Sequence, residues 1–373
     1  MKQELFDNIK NIPGWKTKRK IIVFSVDDYG NVRVDSKKAR EKMDKAGLKI
    51  YNRFDAFDSL ETREDLEMLY EVLISVKDKN LNPAVFTPYA LSCNIDFEKI
   101  ESEGFNQYHY EKLTDTYKKL EEIHSNAYKG AWQLWQEGVT QGIMAPQFHG
   151  REHLNLKVFL EKLKAKDREL IAVLKNRSYT SLSDSNYSTI SYTEAFSFDK
   201  GPDIDSFQEI LKTGTDLFED VYGARSRVFT PPAMQFPNVM EKNLSDYGLF
   251  WMDKPFHRKS HVGNGVYKKE FNFTRKKSAR KINTLVRNVV FEPSSGQTDH
   301  VKKAMKQIEA AFRWNKPANI SSHRVNFCGN ISEKNREKGL TDLKSLLKNI
   351  IQTWPDVEFM SVDHLVKIIE NAN

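Results

Sequence analysis

The sequence predicts an α/β fold: a distorted (β/α) barrel of about seven parallel strands with a helical insertion. Two observations point to it. Apolar, strand-like runs alternate with helix-like segments along the whole chain, the pattern of a parallel sheet built from βαβ units. Polar residues also stand just where several of those runs stop, and in a parallel barrel the strand C-terminal ends converge on one face.

The elements follow in order. IIVFSV belongs to a first strand near 20–27, and Asp27 and Asp28 stand where it ends. A helix near 36–46 follows, with Asp35 or Ser36 as its cap. Leu66, Leu69, Leu73 and Val76 recur at helical spacing and mark a second helix over 61–78. NPAVFTPYAL (82–91) reads as the second strand and GIMAPQF (142–148) as the third, with a helix from about 150. Between them, 92–141 reads as a helical insertion in which Tyr128, Trp132 and Trp135 form a packing stripe rather than a sugar platform. A helix over 204–222, a fourth strand RVFTPP (227–232) and strands YGLFWM (247–252) and RNVVFEP (287–293) come next. The helix HVKKAMKQIEAAFRW, the strand ANISSH (318–323), a helix over 339–352, the short strand VEFM and a helix from Ser361 close the chain. Residues 1–18 are an N-terminal extension, 19–373 the barrel domain, and 92–141 and 250–285 its elaborations.

Composition narrows the function classes. The chain has 373 residues, 39% hydrophobic, 12% aromatic and 29% charged, enough apolar content for a substantial core. The net charge of +7 is spread thinly, apart from KTKRK (16–20) and TRKKSARK (274–281), which read as solvated surface. No nucleic-acid motif accompanies them, so no nucleic-acid partner is expected. Cys93 and Cys328 are far apart and form neither a disulfide framework nor a CxxC knuckle. The polar start MKQELFDNIKNIPGW lacks a signal-peptide core, and no apolar run approaches the ~20 residues of a membrane span. A cytoplasmic location is therefore expected.

HGREH (149–153) is the strongest local signal, because two histidines at i and i+4 on one helical face can bind the same ion. Asp28, at another strand end, would complete a set of two histidines and one carboxylate that leaves open positions for water and substrate. An ion would also explain why two aspartates stand side by side where a buried strand runs out: one ligates the cation and the other stays free as a base. Arg151 and Glu152 lie between the ligands, and Glu152 either faces solvent or orients a ligand. His109, His124, His300 and His364 read as surface or helix-face residues, and His257 and His261 as loop residues.

FSVDDYG, HGREH, FTPP and SSHRV, in this order, resemble the motifs of the polysaccharide deacetylase family, the NodB-homology domain. The resemblance spans about 20–370 and includes the closing WPDVEFMSVDHLVKII. It implies a NodB-like barrel and one divalent metal ion per chain, foremost zinc, held by Asp28, His149 and His153. It further implies Asp27 as general base and His323 as the acid that protonates the leaving amine. The implied substrate is an acetylated sugar or glycan. The missing secretion signal favours a cytoplasmic intermediate, nucleotide- or lipid-linked forms included.

The chain departs from the family pattern at VFTPPAMQF. Thr230 occupies the position of an arginine that orients the base, and Pro231 and Pro232 precede Ala233 and Met234 in place of an aromatic-glycine pair. Arg227, Arg225 and Arg151 are the candidates to supply that cation, and Glu292 or Asp253 to supply the family's later acidic residue. Two alternatives stand beside the deacetylase: a zinc peptidase reading HGREH as H-x-x-E-H with Glu152 as base, and a non-catalytic carbohydrate-binding relative.

Overall fold

The computed structural model describes residues 2–183, 190–275 and 282–372. Its strands, in chain order, are β1 Ile21–Tyr29, β2 Phe86–Leu91, β3 Cys93–Ile95, β4 Tyr110–Lys112, β5 Gln147–Gly150, β6 Val228–Phe229, β7 Trp251–Pro255, β8 His257–His261, β9 Tyr267–Phe271, β10 Asn283–Arg287, β11 Val289–Val290, β12 Ala318–His323 and β13 Glu358–Phe359. Neighbours run β10-β7-β6-β5-β2-β1-β12-β11, and every one of these ladders is parallel.

The ends of that path meet. β10 pairs with β7, and after Asn288 the same segment pairs with β12 as β11. Asn288 makes the join: its Oδ1 accepts from the Asn319 backbone N–H at 2.8 Å, and its Nδ2 donates to the Pro317 carbonyl at 2.9 Å. Counting β10 and β11 as one stave, the path closes into a distorted barrel of seven parallel staves.

Strand periodicity sorts β1 into two faces. Ile22, Phe24 and Val26 join the larger core with the surrounding helices. Ile21 and Val23 pack with Tyr89, Val228, Trp251 and Leu285, and Leu365 and Ile369 of the last helix, Val362–Asn371, join this cluster. The next inward residue, Ser25, begins a polar layer by donating to Asp253 at 2.8 Å, and Asp27 stands above it. The inward side of one strand thus grades from apolar to charged.

Helix starts follow local chemistry. Ser36 caps Lys37–Lys45, and Thr62 and Asp65 form a reciprocal capping box on Arg63–Ile74. Tyr128 and Trp135 are buried and Trp132 packs against them, as a packing stripe requires. Cys93 and Cys328 are both buried and unbridged.

Several boundaries differ from expectation. The helix after β5 starts only at Leu156, because Gly150 takes φ +134°, a conformation glycine alone adopts readily, and turns the chain. The fourth strand shortens to Val228–Phe229, since Pro231 and Pro232 have no amide hydrogen for a ladder. The strand expected at 287–293 lies mainly at 283–287. His257 and His261 sit on the antiparallel hairpin β8–β9 rather than in a loop. Residues 276–281 of the TRKKSARK run lie outside the described residues. In KTKRK, Arg19 and Lys20 pair with Glu358 and Asp356, at the strand N-terminal end. Among the described residues no helix is long and apolar enough to cross a membrane.

Candidate active site

Asp27 and Asp28 are neighbours in β1, and neighbours in a regular strand point to opposite faces. Here the register with β2 shifts between Val26 and Tyr29, and Asp28 takes φ +75°. Aspartate is among the few side chains that tolerate this region. The irregularity turns Asp28 so that it lines the same cavity as Asp27. A bulge beside an active site commonly re-aims a side chain in this way.

His149 sits on β5, and the turn at Gly150 brings His153 back beside it, with ring centroids 5.2 Å apart. The pair therefore meets through a strand end and a turn, not on one helical face as expected. His149 Nε2 and His153 Nε2 lie 3.3 and 3.2 Å from Asp28 Oδ1. The far nitrogens set the tautomers. His149 Nδ1–H donates to the Thr230 carbonyl at 2.7 Å, and His153 Nδ1 lies 3.0 Å from the Tyr179 hydroxyl, which itself donates to the His153 carbonyl at 2.6 Å. Arg33 stacks over the Tyr179 ring at 4.7 Å and is paired with Asp55.

With both Nδ1 atoms protonated, two imidazole lone pairs and a carboxylate oxygen converge with no donor among them. Burial holds the His153 imidazole below its usual pKa, which favours the neutral form despite Asp28. All three ligand atoms lie within 4.8 Å of one another. This set fits a divalent cation: a neutral pair of nitrogens and one anionic oxygen, with positions left open. Tyr179→Phe is expected to weaken divalent-metal affinity about 10- to 100-fold, read by chelator competition, because it frees the His153 ring. An unchanged affinity would show that the hydroxyl does not orient the ligand.

The cation at Asp27 is Arg287, the last residue of β10. Its Nη1 and Nη2 each donate to one Asp27 oxygen at 2.7 Å, and its Nε donates to Asp253 Oδ2 at 3.0 Å. Its Nη2 also donates to Thr230 Oγ1 at 2.9 Å. Thr230 thus serves both sides of the site, its hydroxyl toward Arg287 and its carbonyl toward His149. Burial works against the Arg287 charge, but Asp253 and Asp27 outweigh it and hold the guanidinium ionised. Arg287→Met would strand two buried carboxylates, so unfolding free energy should fall by about 3–5 kcal/mol in urea titrations. A loss under about 1 kcal/mol would contradict the pairing.

The three expected cations lie elsewhere. Arg227 precedes β6, at the strand's other end, and pairs with Glu370; Arg225 pairs with Glu219. Arg151 binds Glu152 in a buried two-pronged pair at 2.6 and 2.9 Å and reaches Thr213. Glu152 is therefore held away from the three-ligand cluster and does not take the position a peptidase base requires. Pro231 lines the cavity, and Pro232 packs behind Gly150.

His323 stands directly opposite Asp27 in the β1–β12 register, with Nε2 3.8 Å from Asp27 Oδ2. Its Nδ1–H donates to Glu292 Oε1 at 2.6 Å, and Glu292 is steadied by Arg53 and Asn326. Burial opposes the imidazolium, but Glu292, Asp28 and Asp27 outweigh it and raise His323 to about 9. Glu292 and Asp253, both candidates for one acidic role, take different ones.

Asp27, Asp28, His149, His153, Pro231 and His323 line a cavity of about 250 Å³ together with Arg33, Asn52, Phe54, Thr193, Ala233 and Met234. A larger cavity of about 640 Å³ lies at the strand N-terminal end, among Arg19, Glu358 and His364, and holds none of these groups.

Fold and site together define a closed parallel (β/α) barrel with a two-histidine, one-carboxylate cluster at its strand C-terminal ends. Neither a family model nor a curated protein matches the sequence. Among solved structures the chain is similar to a putative polysaccharide deacetylase from Mycobacterium smegmatis, at 11% identity over 96% of this chain and 93% of that one, TM-score 0.46. It is similar to a probable polysaccharide deacetylase from Pseudomonas aeruginosa, at 9% identity over 94% and 91%, TM-score 0.45. It is also similar to a 4-alpha-glucanotransferase from Thermococcus litoralis, at 10% identity over 94% of this chain and 40% of that one, TM-score 0.44. At such distances the chemistry rests on this chain's own side chains.

Proposed function

We propose that the protein is a metal-dependent hydrolase that removes an acetyl group, foremost an N-acetyl group, from a sugar or glycan intermediate. The observation that supports this most is the separation of roles along two adjacent strands. Asp28 joins the histidine pair, while Asp27 and His323 face each other beside it, each fixed by its own partner.

Asp28, His149 and His153 would hold the ion, foremost zinc, which supplies Lewis-acid polarisation of the acyl oxygen and a more acidic water. Asp27, kept in place by Arg287, accepts a proton from the attacking water as its oxygen bonds to the acyl carbon. The carbon–nitrogen bond then breaks, the amine takes the proton carried by His323, and acetate is the other product. Glu292 keeps the His323 ring turned toward that leaving nitrogen.

The sign of the pH dependence follows. A raised His323 keeps its proton below about pH 9 and loses it above. A cation beside Asp28 would offset that carboxylate, so the rate should fall with rising pH at or below 9. Glu292→Gln should move this limb down by about 1 to 3 pH units. A limb that stays put in the variant would remove His323 from the acid role.

An acetate-release screen over N- and O-acetylated sugars, nucleotide sugars and acetylated peptides tests the activity. Acetate from a saccharide supports the deacetylase. Peptide cleavage without acetate would support the zinc peptidase instead.

A further inference from the structure

The cavity over Asp27, Asp28 and His323 is small and walled. Ligand sites for drug-sized molecules occupy about 300–1,000 Å³; this one measures about 250 Å³. Two turns form opposing walls, and both are fixed from behind.

On one side are Asn52 and Phe54. Asn52 accepts from the Phe54 and Asp55 amides, capping a short helix. Phe54 lies edge-on to His323 at 5.2 Å, and Arg53 is tied to Glu292 and Ser294.

On the other side are Pro231, Ala233 and Met234. Ala233 and Met234 take φ of +52° and +59° in succession, a costly conformation for residues with a Cβ. The hairpin β8–β9 holds them there. Buried Arg258 donates to the Met234 carbonyl at 2.9 Å while paired with Glu270. Gln235 donates to the Lys259 carbonyl at 3.1 Å and accepts from the His261 amide at 2.9 Å. Strain persists where surrounding structure over-determines it, and such places cluster at ligand clamps.

Resting on the deacetylase reading, we propose that the site takes a single acetylated sugar ring, free or at a chain end, and excludes residues inside a glycan chain. An internal residue carries a neighbour on both sides, and a cavity of about 250 Å³ lined by Phe54, Ala233 and Met234 has little room beyond one ring. Met234 is the specificity-determining residue, and Arg258 positions its turn.

The test uses the intact protein with N- and O-acetylated monosaccharides and with the matching tetrasaccharides, the products sequenced by mass spectrometry. Acetate lost from monosaccharides, or only from a terminal residue of the tetramers, supports the proposal; which of the two responds tells a free sugar from a chain end. Acetate lost equally from internal residues overturns it while leaving the deacetylase standing. No acetate from any saccharide removes both. Met234→Gly relieves the strained φ and lowers the wall, and should raise tetramer over monomer kcat/KM by about tenfold or more. Ala233→Gly relieves strain but keeps Met234, and should leave that ratio unchanged; an equal rise in both variants would assign the effect to backbone loosening and overturn the role given to Met234.

Discussion

Asp27→Asn should lower kcat by about a hundredfold to ten-thousandfold while the protein keeps its divalent ion. Asp27 touches none of the three ligand atoms' far-side partners; its two oxygens belong to Arg287. Removing its charge therefore removes the proton acceptor and leaves Asp28, His149 and His153 in place. The amide presents N–H to a guanidinium that can only donate, so some stability is lost as well. Circular dichroism and metal analysis on the same sample separate the effects. A folded, metal-loaded variant with near-normal kcat would remove Asp27 from the base role.

His153→Ala should abolish tight metal binding, with affinity falling by more than the roughly 10- to 100-fold expected of an outer partner such as Tyr179. His153 belongs to a turn after Gly150, not to a core helix, so the cost to folding should be modest. The variant should remain folded, lose activity and recover little of it in excess zinc. Undiminished affinity would show that the ion, if bound, lies elsewhere.

Much of this arrangement was legible in the sequence, because barrels place reactive residues where apolar runs stop. Asp27, Asp28, His149 and His323 were all visible on that rule, and they converge. The rule failed for Arg287. RNVVFEP looked like a whole strand, which put Arg287 at its start, at the wrong end of the barrel. The stave is NTLVR, and Arg287 is its last residue. Reading the inward alternation of Leu285 and Arg287 against a break at Asn288 was not possible from apolar content alone. A different run, RVFTPP, supplied Arg227 as a false candidate, since that arginine precedes its strand and pairs with Glu370.

HGREH illustrates a different limit. The spacing suggested a helical face, and the two histidines do meet, but by a glycine turn whose φ no composition reveals. Tyr179 left no signal at all, since its contact with His153 depends on a loop packing back from 26 residues away.

The central claim is one catalytic divalent ion held by Asp28, His149 and His153. Its most direct test is to strip the protein of metal, add zinc stepwise and follow acetate release from a responsive acetylated saccharide. The account predicts no release from the stripped protein and a linear recovery that breaks at one equivalent per chain. Full acetate release from the stripped protein, unchanged by added zinc, would contradict it.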